Sequence, residues 1–136
     1  MTTDDAHARN RSTLETAFAA LSADDIEGHL AQCTDDLVLE LPYGGAPGRV
    51  EGKEAVRQYF GAALGIFKMR LWLTEAYPSG DPDLLVAEYA SEGSVTTTGK
   101  PYANTYIGVY RFREGRISAI REFYNPVPSV EAMTPD

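Results

Sequence analysis

Along the first half of the chain the apolar residues recur at helical spacing. Leu14, Ala17, Phe18 and Leu21 stand at i, i+3, i+4 and i+7, which is one apolar stripe on a helix. Asp24 followed by Glu27 fits an N-terminal capping pattern, and Ile26, Leu30 and Cys33 then share the face of a second helix. A short strand over 37–41 stops at Pro42, before a loop too rich in Gly and Pro (Tyr43 to Gly48) to be regular. Val56, Tyr59, Phe60, Ala63 and Leu64 mark a third helix, from near Gly52 to near Gly65.

The pattern then changes. Residues 67–77 are aromatic and branched and close at Pro78-Ser79-Gly80-Asp81-Pro82, and 84–95, 102–112 and 116–124 are three further strands. Glu114-Gly115 is a two-residue hairpin turn between the last two. Helices first and a meander of antiparallel strands second is an α+β order, not a β-α alternation. In 102–112 one face carries Tyr102, Asn104, Tyr106, Gly108, Tyr110 and Phe112, and the other Ala103, Thr105, Ile107, Val109 and Arg111. Neither face is plainly a solvent face, so one is expected to pack on the helices and the other on a second subunit. The polar residues 1–11 and the segment 126–136, with Pro126, Pro128 and Pro135, are expected to be frayed tails around an ordered core of about 12–126.

Length and composition narrow the class. The 136 residues are expected to form one domain, with a core that needs neither disulfide nor metal. The net charge of −8 argues against nucleic acid and against anionic membranes. The densest basic stretch, Arg111, Arg113, Arg116 and Arg121, is interrupted by Glu114 and Glu122 and reads as a solvated strand edge or a subunit contact. Cys33 is the only cysteine and reads as a small buried hydrophobe. With no signal-peptide core and no apolar run approaching roughly 18 residues, a cytoplasmic location is expected.

Candidate chemistry concentrates in the last strand. Glu122 alternates with Ile120 and Tyr124, a placement that desolvates a carboxyl and raises its pKa towards the range where it exchanges protons near neutrality. The competing reading is a surface Glu paired with an Arg across strands. Glu88, between apolar residues in mid-strand, is either a pocket acid or a partner for Arg70 or Arg111. Tyr43, Trp72, Tyr102, Tyr106 and Tyr110 are either core or the lining of an aromatic cavity, and Asn104 among them needs a partner that a ligand carbonyl could supply. His7, in the expected N-terminal tail, and His29, on a polar helical face, invite neither a metal nor a triad reading, and no phosphate-binding glycine loop is present. No metal or cofactor is therefore called for.

Three segments together resemble the SnoaL-like branch of the nuclear-transport-factor-2-like superfamily. They are Leu41-Pro42-Tyr43 through Val56, Tyr102-Ala103-Asn104-Thr105-Tyr106, and Gly115-Arg116-Ile117 through Arg121-Glu122-Phe123-Tyr124-Asn125-Pro126. The resemblance covers about residues 12–126. It implies a cone-shaped α+β barrel with three N-terminal helices packed in a curved antiparallel sheet, one deep pocket, and dimers formed through the sheet. The last segment is most similar to the phenazine-biosynthesis A/B group, in which the residue matching Glu122 is a pocket acid/base. The pocket His of that group has no counterpart here, nor do the residue sets of the ketosteroid isomerases and limonene epoxide hydrolases. The expected function is cofactor-free acid/base chemistry on a carbonyl-containing or cyclic metabolite by isomerisation, cyclisation, condensation or dehydration. Glu122 would move the proton; Tyr43, Tyr59, Trp72, Glu88, Asn104 and Tyr106 would contact the substrate. The alternative is a protein that binds or sequesters a small molecule without converting it.

Overall fold

The computed structural model describes residues 1–46 and 48–136. In chain order the elements are α1 (Thr3–Ser22), α2 (Ile26–Leu30), β1 (Cys33–Glu40), β2 (Arg49–Glu51), α3 (Lys53–Ile66), β3 (Phe67–Pro78), β4 (Leu84–Val95), β5 (Pro101–Arg113), β6 (Arg116–Tyr124) and α4 (Val127–Met133). The six strands form one curved, open sheet in the order β2-β1-β6-β5-β4-β3, and the helices pack against its inner face.

Four long strands, β3 to β6, make the antiparallel meander that alternation and turn residues predict. Glu114 (φ 51°) and Gly115 (φ 79°) both take the left-handed backbone that a two-residue hairpin needs. One pair departs from the expected antiparallel sheet: β1 runs parallel to β6, so that Leu39 faces Ile120 and Glu40 faces Arg121. The core lies between the inner sheet face and the helices. Leu14, Ala17 and Phe18 of α1 and Val56 of α3 meet Leu37, Leu85, Ile117 and Ile120 there, all buried.

The two ends are corrected. The polar N-terminal residues expected to fray begin α1, whose first turn is closed by a capping box: Thr2 Oγ1 accepts from Asp5 N (3.0 Å) and Asp5 Oδ2 accepts from Thr2 N (3.1 Å). The buried stripe of α1 extends backwards through Thr13, Asn10, His7 and Ala6, small or polar residues that hydropathy does not register. His7 Nε2 bonds to the Asp81 carbonyl (3.0 Å), so it belongs to a packed helix and not to a tail. At the other end, 127–133 is helical because Pro128 falls in the first turn, where the missing N–H costs nothing. Thr98 Oγ1 donates to the Ala132 carbonyl (2.5 Å) and Lys100 Nζ to that of Thr134 (2.6 Å), tying α4 to the β4–β5 turn.

Smaller corrections concern the region of α2. Its N-cap is Asp25, accepting from Gly28 N (2.9 Å), while Asp24 takes a left-handed φ of 62°. Cys33 is not helical but opens β1, fully buried, with burial pushing its thiol up to about 12. His29 does not lie on a polar face. It is 2% exposed, stacked edge-on against Phe60 (4.9 Å between ring centres).

Candidate active site

Between α3, α4, the loop after β1 and the inner faces of β3, β5 and β6 lies a cavity of about 460 Å3, within the range of small-molecule sites. Its position follows from the curvature of the sheet. The stripe of α3 (Tyr59, Phe60, Ala63, Leu64) covers this part of the sheet without filling the space beneath it. Leu71, Met69 and Phe67, alternate residues of β3, form one wall, and Val130 and Met133 of α4 another. Tyr43, 59% exposed, stands at the mouth with Gly44 and Gly45.

Glu122 is the one ionisable carboxyl in this lining. It sits in β6 between Ile120 and Tyr124 on the inner face, as alternation predicts, and not paired with an Arg. Its Oε2 accepts a 2.5 Å hydrogen bond from the hydroxyl of Tyr89, a fully buried residue of β4. Oε1 has no hydrogen-bond partner among the described residues and is not sealed in the core, so it opens on the cavity. Burial pushes the carboxyl above its ordinary 4.5, partly countered by the Tyr89 hydrogen bond, which favours the ionised form. The phenol of Tyr89 is pushed well above its usual range by burial first and by the nearby Glu122 charge second, so Tyr89 keeps its proton and stays the donor. Tyr59, Tyr106 and Tyr110 are raised for the same leading reason, burial, with Glu122 adding to each.

Tyr89 reaches Glu122 because Gly108 lies between them in β5. Gly108 is paired with Glu122 on one side and with Ala87 on the other. A Cβ there would stand 2.5 Å from the Tyr110 ring and 2.9 Å from the Tyr89 hydroxyl. Gly108→Ala is therefore expected to cost about 1–3 kcal/mol, typical of overpacking, and to displace the Tyr89 hydroxyl from the carboxyl. Urea denaturation reads the first effect and the pH midpoint of any Glu122-dependent signal the second.

The other residues expected at the site divide. Tyr43, Tyr59 and Tyr106 line the cavity with Glu122. Asn104 is on the inner face of β5, yet its amide is already spent: Nδ2 donates to Tyr102 (3.0 Å) and to the Asn125 carbonyl (3.0 Å), and Oδ1 accepts from Thr105 N (2.9 Å). Trp72 and Glu88 are not at the site. In β3 the inward residues are Met69 and Leu71, which turns Trp72 to the outer face, where the Arg70 guanidinium lies 4.2 Å over its ring. In β4 the buried alternation is Leu85, Ala87, Tyr89 and Ser91, so Glu88 projects outward with Val86 and Ala90. Apolar residues on both faces of these strands make the facing ambiguous from sequence. Sequence reasoning missed Tyr89, the partner of Glu122, which has the parity of Leu85 and Ala87, and it missed α4. Among the described residues no group of three or more His, Cys, Asp and Glu is gathered as metal ligands would be, and no helix is long and apolar enough to cross a membrane.

Comparison with known proteins agrees with this architecture. Residues 14–120 match the family model of the SnoaL-like domain. The uncharacterized protein YesE of Bacillus subtilis is 32% identical over 127 residues, covering 88% of this chain and 84% of YesE. The uncharacterized PhzA/B-like protein PA3332 of Pseudomonas aeruginosa is 35% identical over 99 residues, 71% of this chain and 70% of that one. Among solved structures, a candidate isomerase from Bacillus subtilis superposes with a TM-score of 0.87 at 29% identity, over 97% of this chain and 95% of that one. RV0760c of Mycobacterium tuberculosis, in complex with estradiol-17beta-hemisuccinate, shares the fold with a TM-score of 0.77 at 23% identity, over 88% of this chain and 96% of its own. The chain belongs to the SnoaL-like family, and within it resembles the PhzA/B-like proteins.

Proposed function

We propose that this protein is a cofactor-free acid/base enzyme acting on a carbonyl-containing or cyclic metabolite held in the cavity, with Glu122 as the group that moves the proton. The observation that carries this is one carboxyl, desolvated and steadied by Tyr89, with its other oxygen open to an otherwise aromatic and aliphatic cavity. In the ionised form Glu122 Oε1 would take a proton from the carbon next to a carbonyl. The C–H pair moves into the C–C bond as the carbonyl pair moves onto oxygen, giving an enolate. Where the enolate is conjugated with a neighbouring double bond, returning the proton from Glu122 to the far carbon isomerises the substrate. Attack of the enolate on a second carbonyl of the same molecule closes a ring, the new alkoxide taking the proton back from Glu122. Tyr89 would hold the carboxylate in place throughout, and Tyr59 and Tyr106 would border the substrate. That RV0760c holds a steroid ester on the same fold supports a ligand of fused-ring size.

The test is a thermal-shift screen against cyclic ketones, aromatic acids and polyketide-like compounds, followed by turnover assays of each hit on wild type and Glu122→Gln. At about 100 times its dissociation constant a ligand adds about 2.7 kcal/mol of stability. Hits bound by both proteins and converted only by the wild type support the reading. Hits bound equally and converted by neither would leave a carrier or sequestering protein instead.

We also infer a homodimer through the outer sheet face. Ile107, 38% exposed, stands there opposite Glu88 on one side and Phe123 on the other, with half-buried Val109, Val86, Ala90 and Trp72 around it. Light scattering on a sizing column is expected to give twice the 14.9 kDa chain mass for the wild type and a monomer for Ile107→Asp. A monomeric wild type would overturn the assignment.

A further inference from the structure

Beside Tyr89 in the sheet, the hydroxyl groups of Ser91, Tyr106 and Tyr102 form a hydrogen-bond relay whose direction is fixed by its protons. Ser91 Oγ is 2.7 Å from the Tyr106 hydroxyl, and that hydroxyl is 3.0 Å from the Tyr102 hydroxyl. The amide of Asn104 donates to the same Tyr102 oxygen. Ser91 is 2% exposed and, among the described residues, Tyr106 is the only hydrogen-bond partner of its hydroxyl. A buried hydroxyl proton left without an acceptor costs about 1–3 kcal/mol, so Ser91 donates to Tyr106. Tyr106, having accepted from Ser91, donates its own hydrogen bond to Tyr102. Burial pushes the Tyr106 phenol up, so it keeps the proton that it donates.

Tyr102 is thereby filled on its acceptor side, once by Asn104 and once by Tyr106. Its own proton has no acceptor within the chain among the described residues, although the residue is only 5% exposed and lines the cavity. The ring is held in place by Phe67 (4.9 Å between ring centres) and by packing with Val95 and Ala132. A hydroxyl that can only donate, at the end of a chain of donors that strengthen one another, is complementary to a hydrogen-bond acceptor. The charge of the surroundings narrows the acceptor. No Lys, Arg or His is among the lining residues, and Glu122 is there. A carboxylate or phosphate would be desolvated without a counter-ion and beside an acid, whereas a neutral carbonyl loses little on entry.

We propose that Tyr102 is the recognition point for the oxygen of an uncharged carbonyl compound, its hydroxyl being held as a pure donor by Asn104 and by the Ser91–Tyr106 relay. This deepens the reading of the cavity as a carbonyl-compound site and rests on it for the location, but not on Glu122 being catalytic. Of the acids and ketones that fit by size, it selects the ketones.

Binding of inert probes tests it without any turnover, so its failure and that of the acid/base role are separable. The probes are 9-fluorenone, fluorene, which lacks the oxygen, and 9-fluorenone-2-carboxylate. Wild type is expected to prefer fluorenone to fluorene by about tenfold, the worth of one good hydrogen bond, and to bind the carboxylate more weakly than either. The bound carbonyl stretch is expected to move to lower frequency. Tyr102→Phe removes one oxygen and is expected to abolish both the preference and the frequency shift. Ser91→Ala, which touches no ligand, is expected to reduce both, because Tyr102 can then turn its proton inward to Tyr106. If wild type failed to bind fluorenone up to its solubility limit, or bound the carboxylate best, the proposed ligand class would be wrong. If folded Tyr102→Phe kept the preference, the assignment of the residue would be wrong. Should Tyr102→Phe prove unstable in urea, the Ser91→Ala frequency shift decides alone, an unshifted carbonyl relative to wild type overturning the relay.

Discussion

Glu122→Gln is expected to lower turnover of the physiological substrate by about 10²–10⁴-fold while changing its affinity little, since the amide fills the same space and removes only the proton exchange. The pH dependence carries more information than the loss itself. If the carboxylate is the working form, wild-type kcat rises with pH through a midpoint above 4.5, because burial raises the carboxyl from that value. Tyr89→Phe takes away the hydrogen bond that opposes the rise, so its midpoint is expected to move further up, with a loss of rate at pH values below it. A merely structural Tyr89 would leave the midpoint in place. The same carboxyl leaves a mark on stability. The folded state holds the Glu122 proton to higher pH than the unfolded chain does, so its contribution is most favourable below 4.5 and is lost as pH rises through the raised folded value. Glu122→Gln should therefore gain stability relative to wild type from pH 4.5 upward. A variant that retained wild-type kcat would end the acid/base assignment.

The second large effect belongs to His29, and its sign is opposite. Burial in the core lowers this imidazole from 6.5 to about 4, so it is folded as the neutral ring against Phe60. The unfolded chain takes up a proton below 6.5 that the folded chain refuses until about 4. Stability is thus fully present above 6.5 and is lost as pH falls through that window, to a total of about 3 kcal/mol. Urea denaturation from pH 7 to pH 4 is expected to show this loss in wild type and to show it removed in His29→Leu, whose side chain stays apolar throughout. Glu122 offsets part of the wild-type slope, so the comparison is made between variants at each pH. An unchanged slope in His29→Leu would mean that other groups govern acid unfolding.

These two residues also mark what could be seen in the sequence. For Glu122, alternation with the bulky Ile120 and Tyr124 left a pocket acid and a surface partner for an Arg both open, and it was the resemblance carried by Arg121 to Pro126 that pointed to the pocket. The strands β4 and β6 were legible to the residue, and the Glu114-Gly115 turn with them, because turn chemistry is local. Trp72 and Glu88 were misplaced because β3 and β4 carry apolar side chains on both faces, and a bulge between Leu73 and Glu75 further shifts the register of β3. His29 looked polar because α2 is five residues long, too short for periodicity to fix its buried side. The early turns of α1 are buried through Ala6, His7, Asn10 and Thr13, and α4 carries in its first turn Pro128, which reads as a terminator. Tyr89 was hidden for another reason: its role depends on a neighbour 33 positions later and on the missing side chain at Gly108.

The parallel pairing of β1 with β6 has a kinetic consequence. Strand β6 is flanked by β5, joined to it by a two-residue turn, and by β1, whose partner residues lie about 80 positions earlier in the chain. The hairpin can zip early at little entropic cost, whereas the β1 ladder must close the longest loop in the sheet and is expected to form late. Until it does, the strand that carries Glu122 is an edge strand, with one side of its backbone in water. The shielding of that strand from water is therefore completed only with the last ladder, although Tyr89, in the meander itself, can meet the Glu122 carboxyl before then.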